Sequence, residues 1–338
     1  MTADEAGELA NRHVLTFGGD SMEQVPENPT RLPVSPPPGL DALVADALGR
    51  VPVQWWRPHT GLSPAERLVV RFADGSSAFV KAAVDPETEA ELRVEHEILR
   101  GDADFLPRTL AWVEAGRGPL LITEDLSGAH WPADHSPVTW RPGQFDLLFE
   151  TLERVADTPP PASLPAADSG FVPLWPVVAR DADRFLALGL CSEAWFRSAI
   201  DALIHAEAAV PLAGESLVHG DVRSDNLCFT GTRMVLVDWG GAMRGHRHHD
   251  LAAALTTLPL EGGPEPFDVF PEGGSWAAYH AGRSAFRAYR SLGGGDGRRA
   301  APEWLRKVFY RMTVIGLDWA ARSLGLPPSD GPHWSTIR

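Results

Sequence analysis

The sequence predicts an α+β fold: a small N-terminal antiparallel sheet with one helix, followed by a larger, mostly helical C-terminal part. Three observations carry that class. Between about residues 50 and 125 the apolar residues come in short runs separated by turn-forming clusters, as in strands. From about residue 140 they recur at spacings of three and four, as on helix faces. The stretch from Ser216 to Phe229 interrupts the helical part with two short apolar runs around a polar turn. At 338 residues the chain can build one large core or two lobes.

Residues 1 to about 40 hold Pro26, Pro29, Pro33, Pro36, Pro37 and Pro38 with little periodic apolar content. They read as a loosely ordered arm leading into a short helix that starts at Leu40-Asp41-Ala42-Leu43-Val44. Val51–Trp56, Arg67–Phe72 and Ala78–Ala82 read as strands, the last two around the turn Asp74-Gly75-Ser76-Ser77. The connection His59–Pro64 carries Gly61, Leu62 and Ser63, and its Pro64 has no N–H to donate. Asp85-Pro86 supplies an N-cap and a first-turn proline for a helix running to about Arg100-Gly101. On it Leu92, Glu95 and Leu99 share one stripe, so Glu95 lies among leucines while Glu97 faces solvent. A carboxylate there needs a partner, and Lys81, which interrupts an otherwise apolar strand, is the obvious one, with Glu91 as the alternative carboxylate. Pro119–Thr123 is a further strand, leaving through Glu124-Asp125-Leu126-Ser127-Gly128.

Phe145, Leu148, Phe149, Leu152 and Val155 trace one helical face. A proline-rich break from Thr158 to Pro176 reads as a surface insertion, and helices near 178–189 and 193–208 follow it. Near the C-terminus Trp304, Val308, Phe309, Met312, Ile315 and Trp319 form a stripe of the kind that builds a core. Glu261, Glu265 and Asp268 lie in an acidic loop that could meet a cationic substrate, although a solvated loop is the simpler reading.

Chemistry concentrates between Ser216 and Asp250. Leu217-Val218 ends a strand, and His219-Gly220-Asp221 occupies the turn that follows. Asn226 stands five positions past Asp221, before the apolar run Leu227-Cys228-Phe229. Thr230-Gly231-Thr232 turns the chain, and Met234–Val237 runs into Asp238-Trp239-Gly240. The result is a hairpin presenting Asp221 and Asn226 at one mouth, with Asp238 nearby. Phosphoryl transfer asks for such a set: a carboxylate to orient and accept the proton of an attacking hydroxyl, and hard oxygens to hold Mg²⁺ against the phosphates. Asp221 suits the first role and Asn226 and Asp238 the second. Arg223 could place its fork on the γ-phosphate. Asp and Asn after a strand are also common turn formers, so the weight rests on the joint pattern. Further on, His246, His248, His249 and Asp250 invite zinc, but no cysteine or distant fourth ligand accompanies them.

His219-Gly220-Asp221 with Asn226, followed by Val237-Asp238-Trp239, resembles the catalytic and metal-binding loops of the aminoglycoside phosphotransferase family. That family belongs to the wider protein-kinase-like fold, which includes choline and several sugar kinases. Gly220 and Trp239 favour the small-molecule branch over protein kinases. The resemblance implies a bilobal protein-kinase-like fold. It would comprise an arm (1–40), a nucleotide-binding lobe ending in a hinge (41–126) and a helical lobe with the catalytic loop and acceptor site (127–338). It further implies ATP and Mg²⁺ as cofactors, phosphate contacts from Gly61, Leu62 and Ser63, and a Lys81–Glu95 pair that orients the α- and β-phosphates. Backbone groups of Glu124 and Leu126 would hold adenine, and Asp250 would start a helix and buttress the catalytic loop. The expected reaction moves the γ-phosphoryl group to a hydroxyl of a small molecule, first an aminoglycoside-type or other antibiotic. The alternatives are a kinase for an amino alcohol or sugar and, behind it, a non-catalytic pseudokinase. The family more often carries an acidic residue where this chain has Gly240.

Composition narrows the partners. The apolar share of 44% and charged share of 22% are those of a globular protein, and no run of about eighteen uncharged apolar residues occurs, so no membrane span is expected. The acidic start MTADEAGELANRH lacks a signal peptide's regions, and two cysteines, Cys191 and Cys228, make no disulfide framework; a cytoplasmic protein is the simpler reading. A net charge of −15 argues against nucleic acid and is compatible with a cationic substrate, though solubility alone also accounts for it.

Overall fold

The computed structural model describes residues 33–58, 64–116, 118–231, 233–293 and 300–337, which fall into two units. Gly61, Leu62 and Ser63 lie outside the described residues, as does the arm before Pro33.

One unit comprises the described residues up to Pro165 together with His219–Met243. It contains helix α1 (Leu40–Leu48), strands β1 (Pro52–Trp56), β2 (Glu66–Phe72) and β3 (Ser77–Ala82), helix α2 (Pro86–Leu99), strands β4 (Thr109–Ala115) and β5 (Gly118–Glu124), and helix α3 (Gln144–Ala156). The strands form an antiparallel sheet of order β1-β2-β3-β5-β4. Alternation fixes its faces. Leu68, Val70, Phe72, Ala78, Val80, Leu120 and Ile122 point to one side and pack with Leu40 and Val44 of α1 and with Trp55. Burying a large aliphatic side chain there contributes roughly 1.5–3 kcal/mol. The residues in between, Lys81 among them, take the opposite face. The β2–β3 turn is held by Gly75 at φ +85° and by Asp74, whose Oδ1 accepts the Ser76 N–H at 2.9 Å.

Helix α2 starts where its signals place it. Asp85 Oδ1 accepts the Thr88 N–H at 2.8 Å, Thr88 Oγ1 accepts the Asp85 N–H at 3.1 Å, and Pro86 sits in the first turn. Leu92, Glu95, Ile98 and Leu99 are buried and Glu97 is exposed. Strand β4 has no counterpart among the expected elements. Its described side chains are mostly half-buried, as on a sheet edge, so the period-two contrast is weak. Trp112 on this strand stacks on His96 of α2 at 4.1 Å.

The same unit holds the hairpin of β7 (Leu227–Thr230) and β8 (Arg233–Leu236), with Leu227 opposite Leu236 and Thr230 opposite Arg233. Cys228, Met234, Val235 and Leu236 are fully buried, which anchors the polar segments at its open end.

The other unit comprises Ala166–Val218 and the chain from Arg244. It is mainly helical: α4 (Trp175–Arg180), α5 (Ala182–Leu186), α6 (Glu193–Ala208), α7 (His249–Leu255), α8 (Pro266–Val269), α9 (Gly274–Arg290) and α10 (Glu303–Leu324). Short strands β6 (Ser216–Val218) and β9 (Met243–Gly245) pair with each other. The helix expected near 178–189 is instead two short ones, α4 beginning at Trp175. The fully buried Glu207 of α6 accepts the N–H groups of Leu174 and Trp175 at 2.9 and 2.7 Å, which supplies the missing cap. Asp181, at φ −117° and ψ 37°, then ends α4. The proline-rich break is therefore not wholly a surface feature, since Leu164, Leu174 and Trp175 are core residues. Helices α9 and α10 approach closely through small residues, for a Cβ on Gly316 would lie 2.8 Å from that of Ala281. No described helix is long and apolar enough to cross a membrane.

Candidate active site

The hairpin positions two polar segments. Val237 N–H donates to the Asn226 carbonyl and Asn226 N–H to the Arg223 carbonyl, both at 2.9 Å, which closes the Asp221–Asn226 loop against the Asp238 segment. His219, fully buried, joins them. Its Nε2 donates to the Val237 carbonyl at 2.9 Å and its Nδ1 accepts the Asp221 N–H at 3.2 Å, a pattern that fixes the tautomer. Gly220 is required twice over: its φ is +84°, and a Cβ would stand 2.7 Å from the Gly241 carbonyl oxygen. Trp239 is fully buried beside His219, with ring centroids 4.5 Å apart, and its Nε1 donates to the Leu236 carbonyl. Asp238 itself adopts φ +65°, the only positive value on a non-glycine among the described residues.

Asp221 sits in a network of its own loop. Asn226 Nδ2 donates to both its Oδ2 and its backbone carbonyl at 2.9 Å, and Arg223 Nη1 donates to its Oδ1 at 3.1 Å. Arg223 is buried, and its Nε and Nη2 make a two-pronged pair with Asp225 at 2.9 Å each. Sequence reasoning missed Asp225, whose only signal is its place two positions past Arg223. Burial pushes the Asp221 carboxyl above its ordinary value, against the pull of Arg223 and His219. The group can thus both orient a hydroxyl and take its proton.

Lys81 Nζ lies 2.6 Å from Glu95 Oε2 and 2.6 Å from Asp238 Oδ1. The Lys81 and Glu95 side chains are each only 6% exposed, whereas that of Asp238 is 36% exposed. Burial alone would lower the Lys81 ammonium, but the carboxylates of Asp238 and Glu95 overcome it and hold it above its ordinary value. In turn the Lys81 ammonium, opposed by burial, holds the Asp238 carboxyl well below the usual carboxylate range. Gly240 lets this segment press on α2, for a Cβ there would lie 2.9 Å from that of Glu91. An acidic side chain at 240 has no room in this arrangement.

These residues fit a divalent cation. The Asn226 nitrogen is committed to Asp221, so its oxygen is the end it can offer; one Asp238 oxygen is committed to Lys81, leaving the other. Glu124 ends β5, and Leu126 lies two positions beyond it. The Glu124 carboxylate accepts from Arg108 N–H at 2.9 Å and pairs with Arg233 at 2.8 Å. The Leu126 carbonyl accepts from Trp131 Nε1 at 3.0 Å and Ala129 N–H at 2.9 Å, so its N–H is the group left to offer a ligand.

In the other unit, His246 and His249 pack around Trp276 at 5.8 and 5.6 Å, and His248 packs on Phe270 at 4.9 Å. Among the described residues no group of three His, Cys, Asp or Glu side chains is arranged to hold a metal. Asp250 lies buried in the first turn of α7. Of the acidic loop, Glu265 accepts from Trp334 Nε1 at 3.3 Å and Asp268 pairs with Arg322 at 3.4 Å.

A model of the phosphotransferase enzyme family matches residues 56–303. The comparison with curated proteins by sequence found no match. Among solved structures, the chain is similar to spectinomycin phosphotransferase APH(9)-Ia in complex with ADP and spectinomycin. The identity is 12%, the match covers 85% of this chain and 98% of that one, and the TM-score is 0.57. A thermostable mutant of aminoglycoside phosphotransferase APH(4)-Ia in its apo form matches at 16% identity, over 82% of this chain and 99% of that one, with a TM-score of 0.51. Its ternary complex with ADP and hygromycin B matches with the same identity and coverage at 0.50. At such identities these likenesses speak for the fold, which is the kinase-like α+β fold that the sequence predicts.

Proposed function

The chain belongs to the phosphotransferase enzyme family and is a small-molecule kinase, and we propose that it moves the γ-phosphoryl group of ATP, held with Mg²⁺, onto a hydroxyl of an aminoglycoside-type or other antibiotic. One observation carries the reading: Lys81 meets both Glu95 and Asp238 at 2.6 Å in the unit where Asp221 and Asn226 stand 2.9 Å apart. An ammonium for phosphate, a poised carboxylate and two oxygen donors are what the reaction requires.

Asp221 orients the acceptor hydroxyl and takes its proton as the new O–P bond forms and the bond from the γ-phosphorus to the bridging oxygen breaks, releasing ADP. Lys81, steadied by Glu95, orients the α- and β-phosphates. Asn226 and Asp238 would hold the Mg²⁺, which would neutralise the charge that develops on the leaving group. Arg223 steadies Asp221 and can turn its Nη1 toward the γ-phosphate. Gly61, Leu62 and Ser63 are assigned to the phosphates, and the backbone groups of Glu124 and Leu126 to adenine. Support for the cofactor comes from the two related structures solved with ADP, and support for the acceptor class from the spectinomycin and hygromycin B in them. The net charge of −15 suits a cationic acceptor, and ATP dependence suits work in the cytoplasm.

The test is ADP release over a panel of aminoglycosides, other antibiotics, choline-like alcohols and sugars. Turnover with an antibiotic is expected. Turnover with alcohols or sugars alone would make the chain a metabolite kinase, and no ADP release with any acceptor would remove the catalytic reading.

A further inference from the structure

Arg67 of β2 is the direct cross-strand partner of Lys81 on β3. Directly opposed residues of an antiparallel pair carry their side chains on one face, with Cβ atoms about 5 Å apart. Burial identifies the face. Leu68, Val70 and Val80 belong to the core beneath α1, and Arg67 and Lys81 are out of phase with them. Both cations therefore take the face on which Lys81 reaches Glu95 and Asp238. Arg67 is half-buried, and its charge is among those that hold the Asp238 carboxyl down, after Lys81 and against burial.

Two like charges on one rung of a ladder oppose each other. A sheet keeps such a pair when anions face it, and here Glu95 and Asp238 face Lys81 while the Arg67 charge acts on Asp238. A guanidinium adds what an ammonium lacks, a planar fork matched to two oxygens of a phosphate. The approach to β2 also lacks one donor that phosphate-cradling loops use, since Pro64 has no N–H.

We propose that Arg67 is a second phosphate-binding cation of the nucleotide site, gripping the phosphate chain of a nucleoside di- or triphosphate beside Lys81. The inference rests on the nucleotide reading above and adds a residue to it. Isothermal titration of the full chain with Mg²⁺ and ATP, ADP or adenosine tests it on the wild type, Arg67→Gln and Arg67→Lys. Arg67→Gln should bind ATP and ADP about 10-fold more weakly with adenosine affinity unchanged. Arg67→Lys, which keeps the charge and loses the fork, should fall between, about 3-fold weaker than the wild type. A folded Arg67→Gln protein, judged by circular dichroism, that binds ATP as the wild type does overturns the role of Arg67 alone. Should that variant not fold, wild-type ATP affinity in Arg67→Lys overturns it instead. A wild type that binds no nucleotide fails at the earlier step and takes the nucleotide reading down with the role of Arg67.

Discussion

Lys81 Nζ stands 2.6 Å from Asp238 Oδ1, a contact between residues 157 positions apart, and the same nitrogen is 2.6 Å from Glu95. One ammonium is thus shared by two carboxylates, one enclosed and one partly open. Both contacts bias the loop after β8 toward a single position, which is what the metal-ligand role proposed for Asp238 requires.

Removing that ammonium should be costly. Lys81→Met leaves Glu95 enclosed without its cation, and breaking a buried pair in this way costs about 3–5 kcal/mol. The openness of Asp238 places the expected loss at the lower end. The pH window follows from the two shifts. Lys81 is raised, so its contribution is complete below its ordinary value of 10.5. Asp238 is lowered, so its contribution is present above its ordinary value of 3.8 and fades as pH falls further. Urea unfolding should show the largest gap between wild type and variant from about pH 5 to 9, narrowing in acid. A gap that widens in acid would contradict this account.

Asp221→Asn should lower kcat by about 10²–10⁴-fold while leaving ATP affinity nearly intact. In the wild type the carboxylate must be ionised to take a proton. Because burial raises its value above 3.8, the acid limb of kcat/KM should lie above that point. A limb at or below 3.8 would assign the fall to another group.

Asp225 acts on the same limb indirectly. Its charge opposes ionisation of Asp221, and its two-pronged bond commits Nε and Nη2 of Arg223, leaving Nη1 for Asp221. Asp225→Asn removes both effects, so the acid limb should move to lower pH. The loosened Arg223 should also lower kcat, by about 10-fold. An unmoved limb in a folded variant would show that Asp225 supports the loop without tuning Asp221.

How far the sequence discloses this site depends on how local each cause is. Helix α2 is legible because Asp85, Pro86 and Thr88 cap it within four residues and its leucines mark its face. The Lys81–Glu95 contact is legible because a carboxylate among leucines demands a cation. Strand β4 is obscured by half-burial on a sheet edge, which blurs alternation. Asp225 looks like any turn former until the Arg223 side chain is seen to fold back on it. Gly240 departs from the pattern of the resembling family, and only the approach of Glu91 on α2 gives the reason.

Glu207 is hidden in the same way, since its partners lie more than thirty positions upstream, with 33 residues to Leu174. Full burial pushes its carboxyl up to about 7, even though the N–H groups of Leu174 and Trp175 and the charge of Arg283 pull it down. The sign is the reverse of the usual carboxylate. A folded value above the ordinary 4.5 means that the native state holds the proton more tightly, so stability is greatest below pH 4.5 and declines toward pH 7. The decline from this one group is on the order of 3 kcal/mol. Glu207→Gln cannot ionise and should flatten that part of the stability–pH curve. It should also be less stable than the wild type at pH 5, because an amide nitrogen would face the Trp175 N–H where an oxygen now accepts it. Denaturant unfolding at pH 5 and pH 8 measures both effects. An equal slope in wild type and variant would mean that Glu207 stays ionised throughout and that its two N–H partners outweigh burial.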